Sequence, residues 1–228
     1  MFSISDPVDK PALRKLLRAR RAAVTAAERR SAGRALARLA LRHRLLVRNR
    51  RIGFYMPAKN EIDILPLLRT ALRMGVRCYL PVVPHRALAS VGRRKLWFTR
   101  LVGTENVLDQ PPAAWVNNRY GIPEFLPRGV RRVRAHQLDL IFMPLLGFDR
   151  RGWRIGMGGG YYDASLAHLN QRQYWRRPHR IGVAFAAQQV DRVPNDAWDV
   201  PLNSILSERA YLPVSPAPGS DRLETKRA

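Results

Sequence analysis

Cysteine is almost missing from this sequence. Cys78 is the only one in 228 residues, which excludes an internal disulfide and any multi-cysteine metal site. Flanked by Val76 and Tyr79-Leu80, it reads as a plain buried thiol. No apolar run approaches the roughly 20 residues of a membrane-spanning helix. The opening Met1-Phe-Ser-Ile-Ser-Asp-Pro7 lacks a charged segment followed by an apolar one, so no secretory leader is expected. A cytoplasmic protein without membrane attachment, monomeric, is the expectation. Two catalytic patterns are absent as well, the G-x-x-x-x-G-K-S/T phosphate loop and the G-x-S-x-G nucleophile elbow. His43, His85, His136, His168 and His179 show no metal-ligand spacing. Acids are scarce, 17 Asp plus Glu against 41 Lys plus Arg, for a net charge of +24. Lysine is scarce too, at positions 10, 15, 59, 95 and 226 only, so arginine carries nearly all of that charge. Such a balance suits polyanionic partners. Yet the arginines recur from Arg14 to Arg227 without forming a block, and no DNA- or RNA-binding motif accompanies them. A composition bias spread over the surface is preferred to dedicated nucleic-acid binding. An anionic small substrate would gain from the same field.

With 46% hydrophobic residues, the chain can bury a substantial core. Leu13, Leu16, Leu17 and Val24 predict a helix over 9–24, with Pro11 tolerated in its first turn. Lys10, Arg14, Arg18 and Arg21 form another face of it, either a solvated basic stripe or an anion contact from the first two turns. Thr25 and Glu28 match a capping box that opens a second helix, the two making an N-terminal helical hairpin. Strands are predicted at 51–56, 76–83, 95–101, 138–144 and 180–186. A helix over 64–74, capped by Asp63, joins the first two as a parallel βαβ unit. Glu61 then falls in the loop beyond the carboxyl end of the first strand, where open α/β sheets bind ligands. Residues 84–95 read as a basic loop, 102–136 as irregular, and 213–228 as a flexible tail after a single α/β domain over 1–212.

The stretch around which the rest is organised is Arg154-Ile-Gly-Met-Gly-Gly-Gly-Tyr-Tyr-Asp163. It follows the apolar run Leu140–Leu146 and precedes a helix predicted over 161–171. Gly156, Gly158, Gly159 and Gly160 let backbone N–H groups turn toward an anion. A helix N-terminus adds further donors. Arg154 supplies a fixed cation, and Asp163 could hold a metal ion that bridges to phosphates. A turn needed only for chain reversal is the alternative. The order of the glycines does not suit the dinucleotide fingerprint G-x-G-x-x-G. Asp196 and Asp199 stand in a later loop, and carboxylates from two loops could share one Mg²⁺.

The run from Asp139 to Asp163 resembles the signature region of the 5-formyltetrahydrofolate cyclo-ligases (methenyltetrahydrofolate synthetases). Lys10-x-x-Leu-Arg14, Asn60-Glu-Ile-Asp63, Tyr120-Gly-Ile-Pro-Glu124, Val193-Pro194 and Trp198-Asp199 match the same family in order, so the likeness runs from residue 10 to about 208. Met157 and Ala164 depart from it, standing where Arg is common in the family. The resemblance implies a three-layer α/β/α fold around a mainly parallel sheet, like the sugar-phosphate isomerase and CoA-transferase group. It implies ATP- and Mg²⁺-dependent closure of 5-formyltetrahydrofolate, in some cases polyglutamylated, to 5,10-methenyltetrahydrofolate. It assigns Lys10, Arg14 and the loop Arg154, Ile155, Gly156, Met157, Gly158, Gly159, Gly160, Tyr161 and Tyr162 to ATP, with Lys10, Arg154 and Tyr161 closest to the chemistry. Met56 and Glu61 are implied at the pterin, with Gly158 to Tyr161 also touching folate. Asp163 and Asp199 are implied at Mg²⁺, Asp199 ahead of Asp196 because the Trp-Asp pair carries the match.

Overall fold

The computed structural model describes residues 9–84, 94–103, 105–109, 114–171 and 177–214. Two helices come first, α1 (Lys10–Ala23) and α2 (Ala26–Arg42). The capping box between them is formed in both directions. Thr25 Oγ1 accepts from the Glu28 N–H at 3.2 Å, and Glu28 Oε2 accepts from the Thr25 N–H at 2.7 Å. The chain continues through β1 (Arg51–Gly53), α3 (Leu65–Arg73), β2 (Arg77–Val82) and β3 (Trp97–Arg100). A short ribbon, β4 (Trp115–Asn117) and β5 (Pro123–Phe125), precedes β6 (Leu140–Pro144). A second ribbon, β7 (Gly147–Phe148) and β8 (Arg154–Ile155), leads to α4 (Tyr161–Leu166) and α5 (His168–Gln171). The last strands are β9 (His179–Val183), β10 (Ser204–Leu206) and β11 (Tyr211–Pro213).

Among the described residues the main sheet has seven strands, in the order β11-β10-β9-β6-β1-β2-β3. The strands from β10 to β2 run parallel, and β3 and β11 close the edges antiparallel. A parallel sheet is covered on both faces, which is why its strands read as continuous apolar runs. In β6, Leu140 and Phe142 face one cluster while Ile141 and Met143 face the other. Cys78 and Leu80 of β2 alternate in the same way with Tyr79. The first cluster takes α2 and α3, through Ala32, Leu36, Leu67, Leu68 and Ala71. The second takes Leu166 of α4 and the turn at Ala135 and Leu138. Helices therefore lie on both faces of the sheet.

The two N-terminal helices follow one another as the capping box requires, but their apolar faces serve different partners. Leu13 and Leu17 of α1 pack on Leu146, Ile155 and Val193, beneath the second ribbon. That placement brings the amino end of α1 to the glycine-rich loop. The helix expected over 161–171 is two short helices, α4 and α5. The β4–β5 and β7–β8 ribbons, β10 and β11 lie where no strand was expected; each strand has only two or three residues, too few for a periodic signal. Of the expected tail, Pro213 ends β11 and the Val214 N–H donates to Asn203 O at 2.9 Å; 215–228 lie outside the described residues. The basic loop read over 84–95 falls mostly on 85–93, which lie outside them too.

Asp149 ties the turn before the glycine-rich loop to the later loop at Val193. Its fully buried carboxylate accepts from the N–H groups of Arg151, Trp153 and Val193 at 2.9, 3.0 and 3.0 Å, and from Arg151 Nη2 at 2.8 Å. Asp149→Ala would leave those N–H groups without an acceptor and is expected to cost about 3 kcal/mol of stability. Asp149→Asn, which keeps an accepting oxygen, should cost less. Urea unfolding of both variants checks the order.

Candidate functional site

From β1 the chain moves to β2 on one side and later returns to β6 on the other. The carboxyl ends of β1 and β6 therefore flank a topological switch point, where open α/β sheets bind ligands. A cleft of about 690 Å³ opens there. Its floor is Tyr55 and Met56 after β1, Pro81 and Val83 at the end of β2, and Pro144 and Leu145 at the end of β6. The glycine-rich loop, the start of α1, the β4–β5 ribbon and the loop at 196–199 form its walls. Every residue from Arg154 to Asp163 borders this cleft, as do Lys10, Arg14, Met56, Glu61 and Asp199, so all the sequence-derived candidates meet in one place.

The loop needs its glycines for separate reasons. Gly158 and Gly160 have φ of +102° and +64°, a region that side chains strain. At Gly159 a Cβ would lie 2.8 Å from the Tyr161 ring. Arg14 Nε donates to Gly156 O at 3.2 Å, which holds a guanidinium along the loop. The helix behind the loop has only six residues, so its contribution is the unpaired N–H groups of a first turn rather than a long dipole.

Two ion-paired cations, Lys10 and Arg154, define the charge of the wall. Lys10 Nζ lies 2.5 Å from Asp196 Oδ2 and 3.0 Å from Asp199 Oδ2. Asp199 Oδ2 also accepts from the Asp196 N–H at 2.8 Å. Burial pulls the Lys10 ammonium down, but the hydrogen bonds and charges of Asp196 and Asp199 outweigh it, and the net direction is upward. The lysine is thus a permanent cation. Arg154, its side chain largely covered, reaches Asp163 Oδ1 at 2.5 Å and also donates to the Val200 carbonyl. The Val200 N–H donates to the same Asp163 oxygen at 3.2 Å. Asp199 directly precedes Val200, so the Val200 backbone ties Asp163 and Arg154 to the loop that carries Asp199.

The carboxylates of Asp163 and Asp199 suit Mg²⁺ by donor type, since any ligands they gave would be hard oxygens. Asp163 Oδ2 and Asp199 Oδ1 accept no hydrogen bond among the described residues. No group of three or more His, Cys, Asp or Glu side chains gathers there among those residues. The protein would thus offer a cation few ligands, leaving the rest to phosphate oxygens and water, as Mg²⁺ prefers.

Glu61 borders the same cleft from the loop after β1. The Ala58 N–H donates to its Oε2 at 3.0 Å, and Arg21 Nη1 lies 3.5 Å from its Oε1. Burial pushes its carboxyl above the usual range, against the pull of that N–H and of Arg21. Arg21, on the face read from the sequence as either a solvated basic stripe or an anion contact from the first two turns, is only 6% exposed.

Several site residues escaped the sequence reading. Asn118, Tyr120 and Glu124 line the cleft from a stretch read as irregular, held by Glu124 Oε1, which accepts from Asn118 Nδ2 and the Val83 N–H. The Tyr161 hydroxyl lies 2.9 Å from that of Tyr120 and accepts from Arg119. Burial and the Tyr120 hydrogen bond raise its pKa, so it remains a neutral phenol. Asp196, which the sequence offered but ranked behind Asp199, shares Lys10 with it, and the 67% exposed Trp198 stands between them in sequence on the cleft wall. The Tyr-Gly-Ile-Pro-Glu motif was the one signal that could have marked the β4–β5 wall.

Residues 6–208 match the model of the 5-formyltetrahydrofolate cyclo-ligase family. The 5-formyltetrahydrofolate cyclo-ligase of Escherichia coli strain K12 is 31% identical over 194 residues, 84% of this chain and 96% of that protein. The mouse (Mus musculus) protein of the same name is 27% identical over 199 residues, 87% of this chain and 93% of its own length. An NMR structure of 5,10-methenyltetrahydrofolate synthetase from Aquifex aeolicus superposes with a TM-score of 0.67 at 25% identity, covering 96% of this chain and 95% of that one.

Proposed function

The chain belongs to the 5-formyltetrahydrofolate cyclo-ligase family of enzymes, and from that premise we propose that it uses ATP and Mg²⁺ to close 5-formyltetrahydrofolate to 5,10-methenyltetrahydrofolate, releasing ADP and phosphate. The observation that supports this most is that one cleft at the switch point brings Lys10, Arg14 and the glycine-rich loop together with the largely buried Glu61 carboxylate. The formyl oxygen attacks the γ-phosphorus of ATP, and the bond to ADP breaks. N10 then attacks the activated formyl carbon and gives up its proton. The carbon–oxygen bond breaks, and phosphate leaves with the former formyl oxygen. No covalent bond to the protein is needed, so catalysis consists of alignment and charge neutralisation.

Lys10, Arg14 and the N–H groups of the Gly156–Gly160 loop bind the phosphates. The ammonium of Lys10 exchanges its two carboxylates for phosphate oxygens. Arg154 stays paired and keeps the loop in shape. Tyr161, a neutral phenol, donates to a reacting oxygen at the loop's end. Glu61 accepts from the N–H groups of the pterin, and Met56 packs against that ring. Asp163 and Asp199 would hold Mg²⁺, which neutralises charge on the transferring phosphoryl group when bound.

Purified protein with 5-formyltetrahydrofolate, ATP and Mg²⁺ should form the methenyl product, followed by its absorbance. No product, together with tight salt-sensitive RNA binding, would replace this reading with that of a nucleic-acid-binding module. The excess of arginine would also favour polyglutamylated substrate. Its KM advantage over the monoglutamate should shrink as salt rises; an advantage independent of salt refutes that role for the charge.

A further inference from the structure

Arg21 is a buried cation that the phosphate-binding reading does not use. It lies in the last turn of α1, two turns beyond Arg14, and is 6% exposed. Its Nη1 is 3.5 Å from Glu61 Oε1, and its Nη2 is 3.9 Å from Met157 Sδ. Its Nε is buried with no hydrogen-bond partner. A guanidinium this poorly satisfied is costly to bury, so its place needs a reason beyond packing. It reaches two segments, the loop after β1 through Glu61 and the glycine-rich loop through Met157.

We propose that Arg21 is a positioning residue that keeps Glu61 ionised and aimed into the cleft, and so sets the affinity for the folate heterocycle. This rests on the reading that Glu61 meets the pterin. A ring amide N–H beside an amino group offers two donors, which a carboxylate can accept side by side; a protonated carboxyl would oppose one of them with its own hydrogen. Arg21 from α1 faces Glu61 directly, and Tyr55 after β1 and Tyr162 on α4 border the same cleft within reach of its charge. Burial, first of all, drives both phenols upward, so they remain neutral and supply no balancing charge. Burial drives the Glu61 carboxyl upward too, and the Ala58 N–H and Arg21 pull it back. Without Arg21 only the N–H remains to oppose burial. The carboxyl then rises further, and the ionised form is lost at a higher pH as acidity increases.

The test compares Arg21→Met, Arg21→Lys, Glu61→Gln and the Arg21→Met/Glu61→Gln double variant, with melting temperature as the folding control. For Arg21→Met, KM for 5-formyltetrahydrofolate at neutral pH should rise about tenfold while KM for ATP moves less than about twofold. The acid limb of kcat/KM for the folate should shift upward by about one pH unit or more. Arg21→Lys keeps the charge and should leave that limb near its original position. In the Glu61→Gln background, Arg21→Met should have little further effect. An unmoved acid limb in Arg21→Met, with or without a lower melting temperature, overturns the proposal, as does full additivity with Glu61→Gln. If Glu61→Gln alone leaves folate KM unchanged, the pterin reading of Glu61 falls and takes this proposal with it.

Discussion

Replacing Lys10 with Ala is expected to lower kcat/KM by about 10²–10³-fold, the usual effect of removing one preorganised donor from developing charge. The ammonium sits between Asp196 and Asp199 at 2.5 and 3.0 Å and is held in its charged form by them. Its loss removes the cation nearest the proposed phosphates. It also leaves two carboxylates unneutralised where anions must bind, so the penalty exceeds that of one missing hydrogen bond. Lys10→Arg keeps the charge but not the compact ammonium between two acids, and should recover only part of the rate. Steady-state kinetics with ATP varied checks this. Unchanged kcat/KM in Lys10→Ala would mean that Lys10 serves only to anchor α1 to the loop at 196–199.

The second large effect belongs to Asp163. Asp163→Asn retains an oxygen for the Val200 N–H, which now donates to Oδ1 at 3.2 Å. It removes the charge that faces Arg154 at 2.5 Å and that would hold Mg²⁺. The expected result is a fall in kcat/KM of about 10²-fold or more. The Mg²⁺ concentration for half-maximal rate should rise about tenfold or more, since one of the few proposed protein ligands is lost. Asp199→Asn should move in the same direction. A titration of activity against Mg²⁺ separates this from a structural role. If Asp163 only orders the loop through Arg154, the variant would melt lower with its Mg²⁺ requirement unchanged.

Much of this site could be read before any fold was known, and the reasons are physical. The run Leu140–Leu146 is apolar on alternate residues of both kinds because both faces of β6 are buried, so it announces a central strand. The capping box at Thr25 and Glu28 is local, needing only three residues of separation, and it forms as expected. The glycine cluster is legible because positive φ leaves few other residue types possible at Gly158 and Gly160. What stayed hidden depends on contacts between distant segments. Nothing local to Arg21 marks it as buried, because its partner Glu61 lies 40 residues away. Lys10 and Asp196 are 186 residues apart, and their pairing exists only once α1 packs beneath the β7–β8 ribbon. The Asn118–Glu124 wall is a ribbon of three-residue strands, too short to carry a period, although its Tyr-Gly-Ile-Pro-Glu sequence was visible.

The most direct test of the central claim follows the formyl oxygen itself. 5-Formyltetrahydrofolate labelled with ¹⁸O in the formyl group is turned over by the purified protein with ATP and Mg²⁺, and the inorganic phosphate is analysed by mass. If the cleft transfers the γ-phosphoryl group to that oxygen, each phosphate released carries one ¹⁸O, in step with methenyl product and ADP. Unlabelled phosphate, with the ¹⁸O recovered in water, would contradict the account.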